Sequence, residues 1–219
     1  MTVHLSPESA TTPEDLVQTD LVPVLSDGTV TLRALTLADV PGIVRNCRDD
    51  QAQRWISRLP LDYGESDAVH YLTEIVATGW RDGSTQDFAV ADASDEGLLG
   101  TIGLHAFRAG TAELGINLGP ASRGRGVGSH AVALLLDYAF NGLNLEYLYW
   151  FALAPHWASR KLAEKSGFRF EAELRGFADH RGTSAAVWML SQSREEYLSR
   201  VEPRTARLVD GLPSEPPGA

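Results

Sequence analysis

The sequence predicts a mixed α+β domain, antiparallel at its start and with a β-α-β-α-β unit in its second half. Segments of alternating apolar and polar residues recur along the chain. A glycine-rich loop joins one of these segments to an apolar helix. Residues 147–153 are apolar without alternation, which is typical of a central strand covered on both faces.

In the first half, residues 29–35 alternate as a half-buried strand does. Residues 38–48 and 66–80 place apolar side chains at helical spacing. Residues 88–91 and 98–107 are apolar segments separated by a polar turn, which predicts consecutive antiparallel strands.

In the second half, residues 112–118 alternate between apolar side chains and Glu113, Gly115 and Asn117, so this strand has two distinct faces. The glycine loop and an apolar helix follow, then the central strand. Residues 157–166 form a short helix that Gly167 ends. Residues 168–174 and 185–190 are predicted to form the remaining strands of the sheet.

Composition predicts one domain with two appendages. The chain has 219 residues, of which 43% are hydrophobic and 22% charged. Residues 1–24 are rich in Ser, Thr, Pro and acidic side chains, which predicts a flexible acidic arm. Residues 201–219 are Pro-rich and are expected to be a tail. The domain is therefore placed at residues 25–200.

Charge and segment lengths exclude several classes of protein. The net charge of −10 provides no basic surface for nucleic acid. The longest run without charge is 147–159, too short to span a bilayer, and the first 29 residues lack the basic and apolar parts of a signal peptide. Cys47 is the single cysteine, and its expected role is that of a small buried hydrophobe. We expect a cytoplasmic protein with neither a nucleic-acid nor a membrane partner.

The glycine loop, residues 123–129, opens a helix, so backbone N–H groups and the positive end of the helix converge where an anion would bind. Ser129-His130 does not supply the Lys-Ser/Thr of a Walker loop. Ser129 also stands where a dinucleotide-binding loop needs its third glycine. A purely structural turn is the other interpretation. The six histidines show no metal-ligand spacing, so no metal site is predicted.

The pattern Arg123-x-x-Gly126-x-Gly128 resembles the R/Q-x-x-G-x-G/A loop of the GNAT N-acetyltransferases. Further matching segments occur in the order of the RimJ/RimL-like branch: Leu32-Arg33-Ala34-Leu35, Ala112-Glu113-Leu114-Gly115, Leu136-Asp137-Tyr138-Ala139-Phe140, Ala158-Ser159-Arg160-Lys161-Leu162 and Gly167-Phe168. The resemblance covers residues 28–198. It implies a mostly antiparallel mixed sheet of about seven strands flanked by helices, with two splayed central parallel strands.

The resemblance also implies acetyl-CoA, or another acyl-CoA, as co-substrate, with its pyrophosphate in the glycine loop and its pantetheine arm between the splayed strands. The residues that it assigns to coenzyme binding are Ile116, Leu118, Arg123, Gly124, Arg125, Gly126, Val127, Gly128, Ser129, His156 and Ser159. His156 stands where the family usually has Asn, three residues before the serine.

Glu113 and Ser159 are the candidate catalytic residues. The resemblance implies Glu113 as the base and Ser159 as the group near the departing thiol, whereas the structural alternatives are a solvated strand carboxylate and a helix cap. Asp179 is a second candidate base, because Ala178 occupies a position where some RimL-like enzymes carry Glu. Ala163 occupies the position of a frequent family tyrosine.

The expected activity is acetyl transfer to a primary amine, either a protein N-terminus or a small molecule. Since Tyr, Asn and Glu are absent from positions 163, 156 and 178, the alternative is a GNAT-fold module that binds acyl-CoA without turnover. The sequence leaves open which amine is the acceptor, which acyl group is transferred, and whether the protein forms a homodimer.

Overall fold

A computed structural model describes residues 21–94 and 97–209, with 202–209 as backbone only. Its centre is one sheet of eight strands in the order β1-β2-β3-β4-β5-β6-β8-β7. The strands are β1 (Leu25–Ser26), β2 (Val30–Arg33), β3 (Gln86–Asp92), β4 (Leu98–Arg108), β5 (Thr111–Leu118), β6 (Tyr147–Leu153), β7 (Arg169–His180) and β8 (Thr183–Ser193). All neighbouring strands pair antiparallel except β5 and β6, which are parallel.

Helices cover both faces of the sheet. They are α1 (Val40–Cys47), α2 (Asp50–Trp55), α3 (Glu65–His70), α4 (Ala77–Asp82), α5 (Val127–Asp137), α6 (Trp157–Ser166) and α7 (Arg194–Val209). The π-helical segment Tyr71–Val76 joins α3 to α4, and a second one, Tyr138–Gly142, extends α5.

The two faces of the sheet have different environments. On the first face, Phe88, Ile102 and Leu114 belong to a core that includes the buried side of α5. On the second face, Ala89 packs with apolar residues of α1 and α3. Because side chains alternate along a strand, Glu113, Gly115 and Asn117 of β5 lie on this second face. Glu113 therefore lies on the sheet face that α1 and α3 cover in part.

The predicted fold class is confirmed, and the differences lie in the details. The two-residue strand β1 adds an eighth strand to the predicted seven. The sequence analysis did not predict α2, and it ended β7 and β8 too early, because the outer part of β7 is mostly exposed and β8 ends in the polar residues Ser191, Gln192 and Ser193. Helix α7 runs to Val209, past the predicted domain boundary at 200. Residues 1–20 of the predicted arm and 210–219 of the predicted tail lie outside the described residues.

Candidate active site

The parallel strands β5 and β6 separate part of the way along their length. They pair only from Thr111↔Tyr147 to Glu113↔Tyr149. Both strands continue beyond this point, to Leu118 and Leu153. In the described sheet, no further residue pair joins β5 to β6. The sheet therefore opens into a wedge-shaped gap that begins just after Glu113.

Backbone donors of β5 point into this gap. The Gly119 N–H donates to the Leu99 carbonyl of β4 at 2.8 Å, and N–H groups alternate sides along a strand. The N–H groups of Ile116 and Leu118 are thus directed away from β4, toward the gap. An extended chain placed there would find free hydrogen-bond donors at both predicted positions.

The glycine loop lies at the open end of β5, before α5. Gly124 and Gly126 have φ of +73° and +85°, which glycine adopts without strain. A Cβ at Gly124 would meet nothing within 4 Å, and one at Gly126 only the ring of His130 at 3.9 Å. Since Gly126 caps α5 without a side chain, the loop presents the positive helix end to open space.

Gly128 has a different role. A Cβ there would lie 3.1 Å from Leu118 and 3.1 Å from Leu162 of α6. Gly128 therefore lets α5 pack closely against both β5 and α6, and so keeps the three predicted coenzyme segments together.

The two arginines of the loop differ in their contacts. Arg123 donates through Nε to the Leu118 carbonyl at 2.9 Å and forms an ion pair with Asp49, which itself caps α2. Arg125 is exposed and makes one 3.3 Å bond to the Ala121 carbonyl. Arg123 thus anchors the loop to the sheet and to α2, while Arg125 has its charge directed to solvent.

Ser159 and His156 lie at the start of α6. The buried Trp150 indole donates to Ser159 Oγ at 2.9 Å, so the hydroxyl proton of Ser159 is left to donate elsewhere. The His156 ring stacks on Trp55 of α2, with centroids 4.5 Å apart and an interplanar angle of 2°. Burial, with added repulsion from Arg123 and Arg54, lowers the pKa of His156 to about 4. His156 is therefore neutral at pH 7.

Glu113 is one-third exposed at the closed end of the gap. One carboxylate oxygen accepts from Arg108 at 2.9 Å. The sequence analysis did not predict this ion pair. It forms because β4 has one extra residue between His105 and Arg108, which places both side chains on the face of Glu113.

An Asp–His pair beside Glu113 was also missed from the sequence. His105, directly opposite Glu113, lies with Nε2 3.1 Å from the carboxylate of Asp87 on β3. Asp87 is buried, whereas His105 is 42% exposed. The two residues are far apart in sequence, and only the strand register brings them together.

Asp179, the alternative base, lies at the end of β7, next to the turn into β8. Its carboxylate accepts from the Gly182 N–H at 2.7 Å. The neighbouring Arg181 donates to the Gln53 carbonyl at 2.8 Å, and the His180 ring is 3.0 Å from the Ser57 hydroxyl. Asp179 therefore shapes a hairpin that contacts α2 and the segment after it.

A pocket of about 160 Å³ opens on the same sheet face as Glu113. It is lined by Ile43, Asn46, Cys47, Ile56, Leu59, Tyr63, Tyr71, Thr101 and Asn117. Asn46 is 4% exposed, and its Nδ2 has no hydrogen-bond partner among the described residues. Burial raises the pKa of the Cys47 thiol to about 11, so this cysteine is an apolar wall and not a nucleophile.

Within residues 21–94 and 97–209, no three His, Cys, Asp or Glu side chains are placed to hold a metal ion. In the same part of the chain, no helix has the length and apolar character that crossing a membrane requires.

The splayed parallel strands and the glycine loop between β5 and α5 define a class of acyl-CoA-dependent transferases. Residues 29–169 match the acetyltransferase (GNAT) domain family. This match covers more than half of the chain, and the protein therefore belongs to the GNAT acetyltransferase family.

Individual relatives agree with this assignment. The uncharacterized N-acetyltransferase p20 of Bacillus licheniformis is 26% identical over 172 residues, which are 77% of this chain and 94% of the relative. Mycobacterium smegmatis RimJ in complex with CoA-disulfide has a TM-score of 0.67 at 17% identity, covering 82% of this chain and 93% of RimJ. RimL, a ribosomal L7/L12 α-N-protein acetyltransferase solved with coenzyme A, has a TM-score of 0.69 at 17% identity, covering 78% and 98%. The fold is shared with these solved acetyltransferases.

Proposed function

We propose that this protein transfers an acetyl group from acetyl-CoA to a primary amine, with the residues around the β5–β6 gap carrying the reaction. The single observation that supports this most is the continuity of donors from the open edge of β5 to the N-terminus of α5. The gap fits an extended pantetheine arm, and the loop fits a pyrophosphate. Acetyl-CoA supplies an activated thioester, so the protein has only to bind, orient and move protons.

In this proposal the N–H groups of Ile116 and Leu118 bind the pantetheine arm or the thioester carbonyl. The loop from Gly124 to Ser129 binds phosphate through its backbone, and Arg125 adds a positive charge. Arg123 acts indirectly, since its ion pair with Asp49 holds the loop in place. His156 closes the site as a neutral aromatic ring stacked on Trp55.

Glu113 is proposed to help take the proton from the attacking amine, directly or through water, because it lies where the gap begins. Ser159 is proposed to donate its free hydroxyl proton to the departing sulfur. The Trp150 indole fixes the direction of this donation by occupying a lone pair of the serine oxygen. Proton removal by a well-positioned base, the role proposed for Glu113, contributes ~100-fold or more.

The pocket next to Asn117 is proposed to hold the acceptor. Its walls are mostly apolar, and the unpaired Asn46 amide offers one donor. An amine that carries a small apolar substituent and a carbonyl or hydroxyl fits this lining, as the first residue of a peptide does. RimL, an α-N-protein acetyltransferase, is the structural precedent for a protein N-terminus. Cytoplasmic location and homodimer formation stay predictions from the sequence.

The test is a screen of the purified full-length protein. Acetyl-CoA and succinyl-CoA are each combined with peptides bearing a free N-terminus, N-terminally blocked lysine peptides and small amines. Thiol release is followed by absorbance, and products are identified by mass spectrometry. Acetylated amine supports the proposed function. Coenzyme binding by calorimetry without thiol release from any pair supports the non-catalytic acyl-CoA-binding module instead.

A further inference from the structure

The pair formed by Asp87 and His105 lies outside the residues to which the proposed function assigns chemistry. We propose that His105, positioned by Asp87, is the group that holds the amine proton during acetyl transfer. The inference rests on the proposed function, and it deepens the role given there to Glu113.

The geometry is that of an oriented imidazole. Asp87 is buried at 3% exposure and accepts from Nε2 of His105, which fixes the ring and its tautomer. Nδ1 of His105 makes no hydrogen bond within the described part of the chain, so its lone pair is available as a proton acceptor. The ring is 42% exposed on the face that bears Glu113 and the acceptor pocket.

The sheet provides space for this pair at two glycines. A Cβ at Gly103, opposite Asp87, would collide with the Asp87 carboxylate. A Cβ at Gly115 of β5 would lie 3.3 Å from Nε2 of His105. Larger residues on these two strands would push the carboxylate and the imidazole apart.

The backbone next to His105 is distorted. Ala106 has a φ of +50°, in the left-handed region that disfavours every residue but glycine, at the point where β4 carries its extra residue. This bulge brings Arg108 to the face of Glu113 and His105. The strained backbone at Ala106 therefore belongs to the bulge that brings these charged side chains together.

The charges around His105 come from each neighbouring element. Asp87 on β3 and Glu113 on β5 are negative, Arg108 on β4 is positive and paired with Glu113, and Tyr71 packs against Asp87 from the helical side. Burial opposes the charged imidazolium, but the hydrogen bond and charge of Asp87, aided by Glu113, outweigh it and raise the pKa of His105. A histidine base with a raised pKa suits proton transfer near pH 7.

The step balances without a further reactant. The amine nitrogen forms a bond to the acetyl carbon, its N–H bond breaks, and the proton passes to Nδ1 of His105, directly or by way of Glu113 or water. The carbon–sulfur bond breaks and its electron pair leaves with sulfur, which takes a proton from Ser159. Solvent then removes the proton from His105 and restores the serine hydroxyl.

The experiment compares wild type with His105→Gln, Asp87→Asn and the control His70→Gln, which alters an exposed histidine of α3. Imidazole titration by NMR of the protein without ligands gives the pKa of His105, and the pH dependence of kcat/KM is measured with an acceptor that wild type acetylates. We expect Asp87→Asn to lower the pKa of His105 that NMR measures. The acidic limb of the profile, where kcat/KM rises with pH, should move to lower pH by the same amount. The acceptor amine itself titrates, but its pKa in solution does not follow Asp87.

We expect His105→Gln to lower kcat/KM about 100-fold and to remove that limb, while His70→Gln changes neither. Wild-type kcat/KM and pH profile in His105→Gln would overturn the inference, as would an NMR pKa that moves in Asp87→Asn while the limb stays. The proposed function fails separately, if wild type binds acetyl-CoA and acetylates no amine. The half-exposed His105 keeps the test independent of any folding defect in the buried Asp87 variant.

Discussion

The coenzyme side of the gap is formed mainly by backbone groups, whereas the acceptor side is formed mainly by side chains. The coenzyme side consists of backbone donors of β5, the glycine loop and the first turn of α5, together with the exposed cation Arg125 of the loop. The acceptor side is made of side chains from β3, β4, β5 and the helices that cover them. There Asp87 with His105, and Glu113 with Arg108, form two ion pairs on one face of the sheet, and His105 and Glu113 are directly opposite in the strand register.

This difference follows from what each side has to recognise. A pyrophosphate and an amide-containing arm can be bound by any backbone in the right conformation, so the side chains are free to vary. An amine must be deprotonated, and this needs ionisable groups with tuned environments. Variants should therefore separate into those that change coenzyme affinity and those that change turnover.

The largest expected effect is on the coenzyme side. Gly126→Glu adds a negative charge, and a side chain at a φ of +85°, where phosphate is proposed to bind. We expect coenzyme affinity measured by calorimetry to fall at least ~100-fold, or about 2.7 kcal/mol.

Gly126→Gln is the matched control, because it introduces the same backbone strain and nearly the same volume without the charge. Its affinity should fall less than that of the Glu variant. Equal affinities for the two variants would show that charge at the loop is irrelevant, and unchanged affinity in both would make the loop a structural turn.

The next effect is on the acceptor side. Glu113→Gln should lower kcat about 100-fold and leave coenzyme affinity unchanged, since the loop is untouched. Glu113 contributes to the raised pKa of His105, so its removal should also move the acidic limb of the pH profile to lower pH. Loss of the limb altogether would identify Glu113 itself as the titrating base.

The same contrast explains what the sequence could predict. The coenzyme side comes from one continuous segment whose glycines and strand–helix context are visible in the sequence. The acceptor side depends on register: His105 meets Asp87 and Glu113 only because three strands align and β4 bulges. Helix α2 was missed because it has six residues and a single buried one, too few for a periodic signal.

A smaller effect is expected where the thiol leaves. Ser159→Ala should reduce kcat about 10-fold, because a thiol with a pKa near ~8.5 departs readily even without a proton. The acidic limb should stay in place, since Ser159 is uncharged and the groups that raise the pKa of His105 are Asp87 and Glu113. Ser159→Cys is a useful comparison, as it keeps a weak donor beside Trp150. A Ser159→Ala variant with wild-type kcat would assign the serine to packing alone.

The smallest effect concerns the stability of the site. In the folded protein the pKa of His156 is about 4, against about 6.5 for an unperturbed histidine. Between these values the unfolded chain binds a proton that the folded chain does not, so wild type loses stability as the pH falls from about 6.5 toward 4. His156→Asn lacks this dependence but also loses the stack on Trp55, worth ~0.5–1.5 kcal/mol.

Wild type should thus have the higher Tm at pH 7, by a few degrees, and this difference should shrink and then change sign as the pH falls toward 4.5, because the protonation of the unfolded chain then costs wild type more than the stack contributes. The quantity to measure is the Tm difference between the two proteins. His105 has a raised pKa and therefore stabilises the fold as the pH falls, which is the opposite trend. Both proteins contain His105, so its contribution cancels in the difference. A Tm difference that is constant from pH 7 to 4.5 would mean that His156 is free to become charged. The coenzyme side would then contain a titrating group, and its contrast with the acceptor side would be weaker.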